Sequence, residues 1–197
     1  MQKELSDWWE EQHKNNVRLW LSGYSKEQVV DFLELEEHLK VTDDMLNVGV
    51  GTGLCTREFF LFGINIDVLD ICDEAIRKVS DVITTGYLKA EELPTNVYDL
   101  VVSHLVAQHI SDEELLLQII CFLRALKPNG IIAMQFVDCE GAPRDYSVEA
   151  QRKGGVLRSK KEVENIISKT NGKILKWIGP KRFSHTPTIW YGVYIGK

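Results

Sequence analysis

The sequence predicts an α/β protein built on a three-layer, doubly wound and mostly parallel sheet of seven strands, with an antiparallel last strand. Short apolar runs alternate with helical segments over most of the 197 residues, as expected when helices cover both faces of a parallel sheet. A glycine-rich turn at residues 49–53 joins the first strand to a helix. The last two strands have no helix between them, so we expect them to form an antiparallel hairpin.

The N-terminal part of the chain is predicted to contain two helices and the first two strands. Residues 6–20 have helical spacing and carry three tryptophans, and Ser25 begins the next helix with the spacing of a capping box. The first strand is expected at residues 45–50, a helix at 54–61 and the second strand at 64–69.

The middle of the chain continues the alternation of strands and helices. A helix with acidic residues in its first turn begins at Asp73, and residues 82–88 form a weaker third strand. Residues 98–103 are almost continuously apolar, which is typical of a buried parallel strand. Ser111 caps a helix that ends before the fifth strand, which is expected at residues 131–137.

The C-terminal part opens with a long polar loop at residues 138–158, followed by a helix at 160–169. A loop of this length within a compact domain is typically functional or disordered. Two strands, at 173–178 and 188–195, end the chain. Residues 1–197 are therefore interpreted as one domain.

Composition and charge exclude several classes of protein. The net charge of -6 argues against binding to nucleic acid or to an anionic membrane, and the charged N-terminus and the lack of a long apolar run predict a cytoplasmic protein. The cysteines lack the spacing of a metal site, so none is expected, and they are interpreted as reduced packing residues: Cys55, Cys72, Cys121 and Cys139. The sequence leaves open a monomer or a homodimer.

The glycine-rich turn is the first candidate ligand site. Gly49, Gly51 and Gly53 lie between a strand and a helix, where glycine lets a ligand approach the main chain closely. Asp70 ends the second strand, seventeen residues after Gly53. A carboxylate at that edge of the sheet can accept hydrogen bonds from both hydroxyls of a ribose.

Six short segments occur in an order and spacing that together are a specific family signal, although each segment alone is a weak one. They lie at residues 47–53, 68–70, 90–94, 98–103, 108–110 and 126–130. Over residues 45–137 the chain therefore resembles class I S-adenosylmethionine-dependent methyltransferases of the small-molecule type, which have a Rossmann-like fold. The closing hairpin fits the reversed last strand of that family.

The resemblance implies S-adenosylmethionine as the cofactor and a role for each matching position. The glycines would face its methionine and ribose parts, Asp70 would hold the ribose hydroxyls and Ile71 would pack on the adenine. Ala90 and Glu91 would lie beside the adenine, and Ser103 would line the floor near the sulfonium. The implied cofactor-binding residues are Asn47, Gly49, Val50, Gly51, Thr52, Gly53, Asp70, Ile71, Ala90, Glu91, Ser103 and His104.

The sequence departs from the family pattern at three positions. Asn47 stands where the family usually has an acid, so it can accept a hydrogen bond but lacks the charge. Lys89 replaces an acid that would contact the adenine amino group, and Asn129 replaces the first glycine of a Pro-Gly-Gly turn.

Two histidines near the end of the fourth strand are candidate catalytic bases. Imidazole titrates near neutral pH, and a base is needed when the methyl acceptor is a weakly acidic hydroxyl or a protonated amine. His109 is the first candidate and His104 the second. The alternative for His109 is a structural role ahead of the Ser111 cap.

Two segments are predicted to cover the site: a helical lid within residues 1–24 and the loop at 138–158. The candidate substrate-binding residues in these segments are Trp9, His13, Trp20, Asp138 and Tyr146. The tryptophans could equally dock the first helix on the core. The three arginines of the loop, at positions 144, 152 and 158, are expected to be solvated rather than to bind an anion.

The predicted function is methyl transfer to a small molecule, because the chain has no added domain for a protein or nucleic-acid substrate. The N-terminal segment faintly resembles methyltransferases of sugar or surface-glycan pathways, which suggests a glycan-related hydroxyl. Two alternatives remain. One is a non-catalytic methyltransferase-like subunit, and the other is a nicotinamide-dependent oxidoreductase, which the glycine spacing and the closing hairpin disfavour.

Overall fold

The computed structural model describes residues 2–15, 24–41, 43–139, 142–182 and 188–197. Over these residues the helices are α1 (Gln2–Lys14), α2 (Lys26–Leu33), α3 (Leu54–Leu61), α4 (Asp73–Arg77), α5 (Asp112–Ala125), α6 (Val148–Arg152) and α7 (Lys160–Ile167). The strands are β1 (Asp44–Val48), β2 (Asn65–Leu69), β3 (Gly86–Tyr87), β4 (Tyr98–Ser103), β5 (Leu126–Asp138), β6 (Lys173–Arg182) and β7 (Ile189–Gly196). Two 3₁₀ turns lie at Ala90–Glu92 and Ala107–His109.

The strands form one sheet in the order β3-β2-β1-β4-β5-β7-β6. The pairs from β3 to β5 are parallel, whereas β7 lies antiparallel between β5 and β6. The predicted seven-stranded, mostly parallel sheet with an antiparallel last strand is confirmed. The strand order reverses between β1 and β4, which places a switch point beside the glycine turn, where ligands bind in open α/β sheets.

Helices bury both faces of the sheet. One core cluster joins side chains of α5 and α7 to β4 and β5, and the other joins α2, α3 and α4 to β1 and β2. Strand β4 is buried along its length except at Asp99, as its apolar sequence predicts for a central parallel strand. The serine caps are also present, since Ser25, Ser111 and Ser159 each accept a hydrogen bond from the backbone three residues on.

Strands β3 and β5 differ most from their predicted bounds. The third strand is confined to Gly86–Tyr87, which pair with the last two residues of β2, although the backbone of Thr84 and Thr85 also forms hydrogen bonds with β2. Strand β5 begins at Leu126 rather than at residue 131, so it includes the Lys-Pro-Asn-Gly segment that was expected to be a turn. Asn129 makes this possible by adopting a φ of 70°, within an irregular pairing with β4.

The terminal segments also differ in detail. Helix α1 begins at Gln2 and ends at Lys14, whereas the second half of the predicted 6–20 helix lies largely outside the described residues. The long loop contains a short helix, α6, and β6 extends to Arg182. The predicted pairing of the last two strands as a hairpin is confirmed.

Within the described ranges, no helix is long and apolar enough to cross a bilayer. The same ranges contain no group of three or more His, Cys, Asp or Glu side chains placed to hold a metal ion. The four cysteines are free thiols.

Candidate cofactor and active site

A cavity of about 620 Å³ opens at the carboxyl ends of β1, β2 and β4. Its volume falls within the range of roughly 300–1,000 Å³ that is usual for small-molecule sites. The structure brings together on its wall most of the predicted site residues: Trp9, His13, Asn47, Gly49, Val50, Gly51, Thr52, Asp70, Ile71, Ala90, His104 and His109.

The glycine turn lines this cavity and contains three alternating glycines with left-handed backbone conformations. Gly49, Gly51 and Gly53 have φ values of 81°, 57° and 84°. A Cβ on Gly49 or Gly53 would collide with a valine side chain, whereas a Cβ on Gly51 would meet nothing within 4 Å. The main chain at Gly51 is therefore open to a ligand, and the other two glycines are required by close packing.

Asp70 links the end of β2 to this turn. Its Oδ2 accepts the N–H of Val50 at 2.7 Å and its Oδ1 accepts the N–H of Cys72 at 2.9 Å. Burial raises the pKa of the Asp70 carboxyl to about 6, against the opposing effect of these backbone donors. Because a carboxylate has about four acceptor positions, it retains capacity for the hydroxyls of a bound ribose.

Asn47 lies in the cavity wall directly before the turn and is buried. Its Nδ2 donates to the hydroxyl of Thr56 at 2.9 Å. This bond fixes the amide and leaves the side-chain oxygen as the acceptor. The position can therefore bind a donor group of a ligand, but without the negative charge that the family usually places here.

His109 ends the 3₁₀ turn after β4, and its orientation is fixed by the C-terminal loop. Its Nδ1 lies 2.6 Å from the carbonyl oxygen of Gln151, so Nδ1 must carry the proton and Nε2 is left as an acceptor. Burial lowers the pKa of His109, while the hydrogen bond to Gln151 opposes this effect. The edge of the Trp9 ring contacts the imidazole, with 5.2 Å between the ring centroids.

His104 occupies a different part of the wall, between aromatic rings. Tyr24 and Phe32 both contact its imidazole edge-on, at 4.9 and 5.6 Å between centroids. Burial lowers the pKa of His104 to about 4. The ring is therefore neutral at physiological pH and is a weak base, so it is poorly suited to proton abstraction.

Arg158 holds the segment that carries His109, a role that no local sequence pattern indicates. The expectation that it is a solvated loop charge is wrong, since its side chain is only 1% exposed. Its Nη1 and Nη2 donate to the carbonyls of Ala107 and Ile110, at 2.6 and 2.7 Å, and its Nε donates to Asp112 at 2.8 Å. These bonds clamp both ends of the 3₁₀ turn.

Helix α1 closes one side of the cavity through Leu5, Trp9 and His13. The hydroxyl of Ser6 donates to the carbonyl of Ile71 at 3.0 Å, directly beside the predicted adenine position. A carboxylate oxygen of Glu10 accepts the N–H of Glu74 in the first turn of α4. Trp20, the third predicted residue of this segment, lies outside the described residues.

Five predicted site residues do not line the cavity. Ser103 is fully buried in β4, Gly53 packs against Val79 and Glu91 is exposed on its 3₁₀ turn. Asp138 is paired with Arg144 at 2.8 Å, and the Tyr146 ring lies over the guanidinium of Arg158. The ends of β4 and β5 are occupied by these packing and ion-pair contacts, which sequence spacing alone does not reveal. Lining residues that sequence reasoning missed include Leu5, Tyr24, Gln108, Gln118 and Gln151.

A family model described as a methyltransferase domain matches residues 46–134, the stretch with the glycine turn, Asp70 and His109. These residues correspond to a methyltransferase domain. Its cofactor is S-adenosylmethionine, and this favours methyl transfer over the nicotinamide-dependent alternative. A search of curated proteins finds no significant match.

Solved structures share the fold of this methyltransferase at low identity. An S-adenosylmethionine-dependent methyltransferase from Leishmania major has a TM-score of 0.66 and 20% identity, over 86% of this chain and 70% of that chain. A phosphoethanolamine N-methyltransferase 2 from Haemonchus contortus, in complex with phosphomonomethylethanolamine and S-adenosylhomocysteine, has a TM-score of 0.65 and 18% identity, over 87% and 52%. The chain thus spans about half of that protein.

The [4+2]-cyclase SpnF also shares the fold, with a TM-score of 0.67 and 16% identity over 87% of this chain and 80% of that chain. Identities this low establish the fold alone. The substrate must therefore be argued from the site itself.

The residues of the methyltransferase site fit S-adenosylmethionine. The open main chain at Gly51 and the Asp70 carboxylate suit the amino-acid and ribose parts of the cofactor. Among the described residues, the side-chain oxygens of Gln108 and Gln118 are buried without a hydrogen-bond partner, although both residues line the cavity. Unsatisfied acceptors beside a cavity are expected where a ligand completes the site.

Proposed function

We propose that the protein transfers a methyl group from S-adenosylmethionine to a hydroxyl of a small-molecule acceptor, such as a sugar or a glycan-related molecule, by in-line displacement. The observation that carries this proposal is the fixed tautomer of His109, a residue of the cavity wall, which leaves Nε2 as the acceptor nitrogen of its ring. When bound, the cofactor supplies an electrophilic methyl group on a sulfonium. A hydroxyl acceptor requires a neutral base that removes its proton, because a hydroxyl is a weak nucleophile until it loses that proton.

The main chain of the glycine turn, Asp70, Ile71 and Ala90 would hold the cofactor. Asp70 is positioned by two backbone donors and would accept hydrogen bonds from the ribose hydroxyls. Ile71 and Ala90 also line the cavity and would contact the adenine. These groups orient the cofactor rather than react with it, which is the main contribution of a protein to this type of reaction.

His109 would accept the proton of the acceptor hydroxyl at Nε2. The imidazolium that forms would keep its Nδ1–H on the carbonyl of Gln151, which stabilises the positive charge. Because burial lowers the pKa of His109, the imidazolium is a stronger acid than a solvated one, so it would pass this proton on to water and return to the neutral form.

Helix α1 would act as a lid over a small acceptor. The rings of Trp9 and His13 lie on the cavity wall, and the helix is latched to the residues that follow Asp70 by Ser6 and Glu10. Closure by such a lid excludes water from the reacting groups. A cavity of this volume suits a small molecule better than a protein chain or a nucleic acid.

The substitution His109→Asn tests the base. An asparagine amide can still donate to the carbonyl of Gln151, but it has no Nε2. We expect turnover to fall by roughly 10²–10⁴-fold, while calorimetry gives an affinity for S-adenosylhomocysteine within about twofold of the wild type, because the cofactor contacts are elsewhere. Turnover is measured as S-adenosylhomocysteine formed with a panel of sugars and glycan-related alcohols.

The pH profile supplies the second readout. A base works only when neutral, so activity should be lost as the pH falls through the pKa of His109, which burial places below the usual value of about 6.5. At saturating S-adenosylmethionine, where protonation of Asp70 does not limit cofactor binding, this acid limb should be absent from the residual activity of the Asn variant. Unchanged turnover in the variant would contradict the role of His109, and a wild type that binds S-adenosylhomocysteine but methylates nothing would favour the non-catalytic alternative.

A further inference from the structure

The buried histidine of helix α1, His13, lines the same cavity as the glycine turn. Helix α1 runs alongside the segment that follows β2, with successive contacts from Ser6 to Ile71, from Glu10 to Glu74 and from His13 to Lys78. These contacts place the C-terminal end of the helix beside Lys78 and Val79.

Val79 connects this position to the glycine turn. Its Cγ1 lies 2.5 Å from the place that a Cβ on Gly53 would occupy, so Val79 packs directly on the end of the turn. Lys78 is the preceding residue, and its Nζ donates to the backbone carbonyl of His13 at 3.1 Å. His13 is only 3% exposed and lines the cavity.

Lys78 also fixes the tautomer of His13. Its ammonium group lies 3.4 Å from Nδ1 of the imidazole, and an ammonium can only donate. Nδ1 must therefore present its lone pair to Lys78, and in the neutral ring Nε2 carries the proton. Burial, followed by the charge of Lys78, lowers the pKa of His13 and keeps the ring neutral, although Glu10 and Glu74 oppose this effect. Among the described residues, Nε2 has no hydrogen-bond partner.

Few positively charged side chains line the cavity. Among the described lining residues, Lys89 is the one lysine or arginine, and it follows β3 at the edge of the sheet. Two strand spacings, about 10 Å, separate β3 from β1 and its glycine turn. An anionic ligand group bound over the glycine turn would therefore be held by uncharged hydrogen-bond donors. One of these donors would be His13, whose ring lies next to the positively charged Lys78.

We propose that His13 donates a hydrogen bond from Nε2 to the carboxylate of the amino-acid part of S-adenosylmethionine, with Lys78 as the residue that sets its tautomer. This assignment places His13 in cofactor binding rather than in binding of the methyl acceptor, and it rests on the proposed function. It also makes helix α1 part of the cofactor site, so that cofactor binding and closure of the helix are coupled.

Calorimetry with two ligands tests the proposal. S-adenosylhomocysteine has the carboxylate, whereas 5′-methylthioadenosine has the same nucleoside and thioether without the amino-acid part. His13→Phe keeps a ring but removes the donor, and we expect it to weaken S-adenosylhomocysteine roughly tenfold, as for loss of a hydrogen bond to a charged group. Its affinity for 5′-methylthioadenosine should stay within about twofold of the wild type.

His13→Gln is the matched control, because its amide nitrogen can replace Nε2 as a donor, and it should retain most of the affinity for S-adenosylhomocysteine. A Phe variant that binds S-adenosylhomocysteine like the wild type, or that weakens both ligands equally, would overturn the assignment. If the wild-type protein binds neither ligand, the cofactor assignment itself fails, and the proposed function fails with it.

A measurement on the wild type avoids any effect of substitution on folding. Nitrogen-15 spectra of the imidazoles should show His13 protonated at Nε2 and His109 protonated at Nδ1, and S-adenosylhomocysteine should shift the Nε2 resonance of His13. Protonation of His13 at Nδ1 in the neutral ring would contradict the role given to Lys78.

Discussion

At the scale of single residues, the site depends on short polar side chains held by backbone groups. Asp70 ties the end of β2 to the glycine turn through the N–H of Val50, and Asn47 is fixed through Thr56. Both side chains are therefore oriented before any ligand binds, which lowers the entropy lost on binding. Asp70 can carry a negative charge, whereas Asn47 cannot. Since the family usually has an acid at position 47, a substitution there tests directly how the chain differs from the family pattern.

Asn47→Asp should strengthen cofactor binding. The hydroxyl of Thr56 can rotate to donate to the new carboxylate, so the contact that orients residue 47 is kept. A charged acceptor makes a stronger hydrogen bond with a cationic ligand group than an amide does, and we expect roughly three- to tenfold tighter binding of S-adenosylhomocysteine by calorimetry.

The control for this substitution is Asn47→Ser, which removes the amide without adding charge and should weaken binding. Equal affinity of the wild type and the Asp variant would show that the side chain at position 47 does not contact the cofactor. Because the side chain is buried, the Asp variant is also expected to be less stable to heat in the absence of ligand.

Residue identity and spacing predicted the candidates at the ends of β1, β2 and β4, but not the groups that orient them. His109 follows directly from its position after β4, whereas its partner Gln151 lies 42 residues later in the chain. Arg158 and Arg144 belong to the same polar loop, yet one is buried under the 3₁₀ turn and the other pairs with Asp138. Which loop arginine turns inward depends on tertiary packing, and no local pattern encodes it.

At the scale of elements, prediction succeeded where one local rule decides the structure. The serine caps and the glycine turn each satisfy backbone requirements within a few residues, so sequence alone places them. The bounds of β3 and β5 were wrong because they depend on pairing with β2 and β4. The Lys-Pro-Asn-Gly segment extends β5 because Asn129 accepts a left-handed conformation inside an irregular ladder.

Helix α1 offers a test of the lid at this scale. Glu10 accepts the N–H of Glu74 at the start of α4, whereas Glu11 is exposed on the same helix. We expect Glu10→Gln to weaken this contact between α1 and α4, because a negative charge near the N-terminus of α4 is lost. The dissociation rate of S-adenosylhomocysteine, measured by stopped flow, should then rise several-fold.

Glu11→Gln makes the same chemical change without altering the contact between α1 and α4, so it should leave the dissociation rate of S-adenosylhomocysteine unchanged. Equal rates in both variants and the wild type would show that the docking of α1 on α4 does not limit ligand release. An equal increase in both variants would indicate that net charge, rather than the contact between α1 and α4, controls the dissociation rate.

At the scale of the whole molecule, the order of the strands brings the site together. The parallel arrangement aligns the carboxyl ends of β1, β2 and β4 at one edge, and the reversal of order beside β1 opens the crevice there. Strand β7 inserts antiparallel between β5 and β6, which leaves the last hairpin remote from the glycine turn. The C-terminal half still reaches the site, because the loop before α7 supplies Gln151 and Arg158 to the segment that carries His109.

The effect of a bound ligand on the thermal stability of the protein tests whether these strand ends form one binding site. S-adenosylhomocysteine and NADH both contain an adenosine, so Asp70 alone would not discriminate between them. A site that also holds an amino acid over the glycine turn should prefer S-adenosylhomocysteine. At about 100 times its Kd, it should stabilise the fold by roughly 2.7 kcal/mol, which for a domain of this size raises the Tm by roughly 5–10 °C. Scanning calorimetry should show no comparable shift with NADH at the same concentration, and a larger shift with NADH would sink the methyltransferase interpretation.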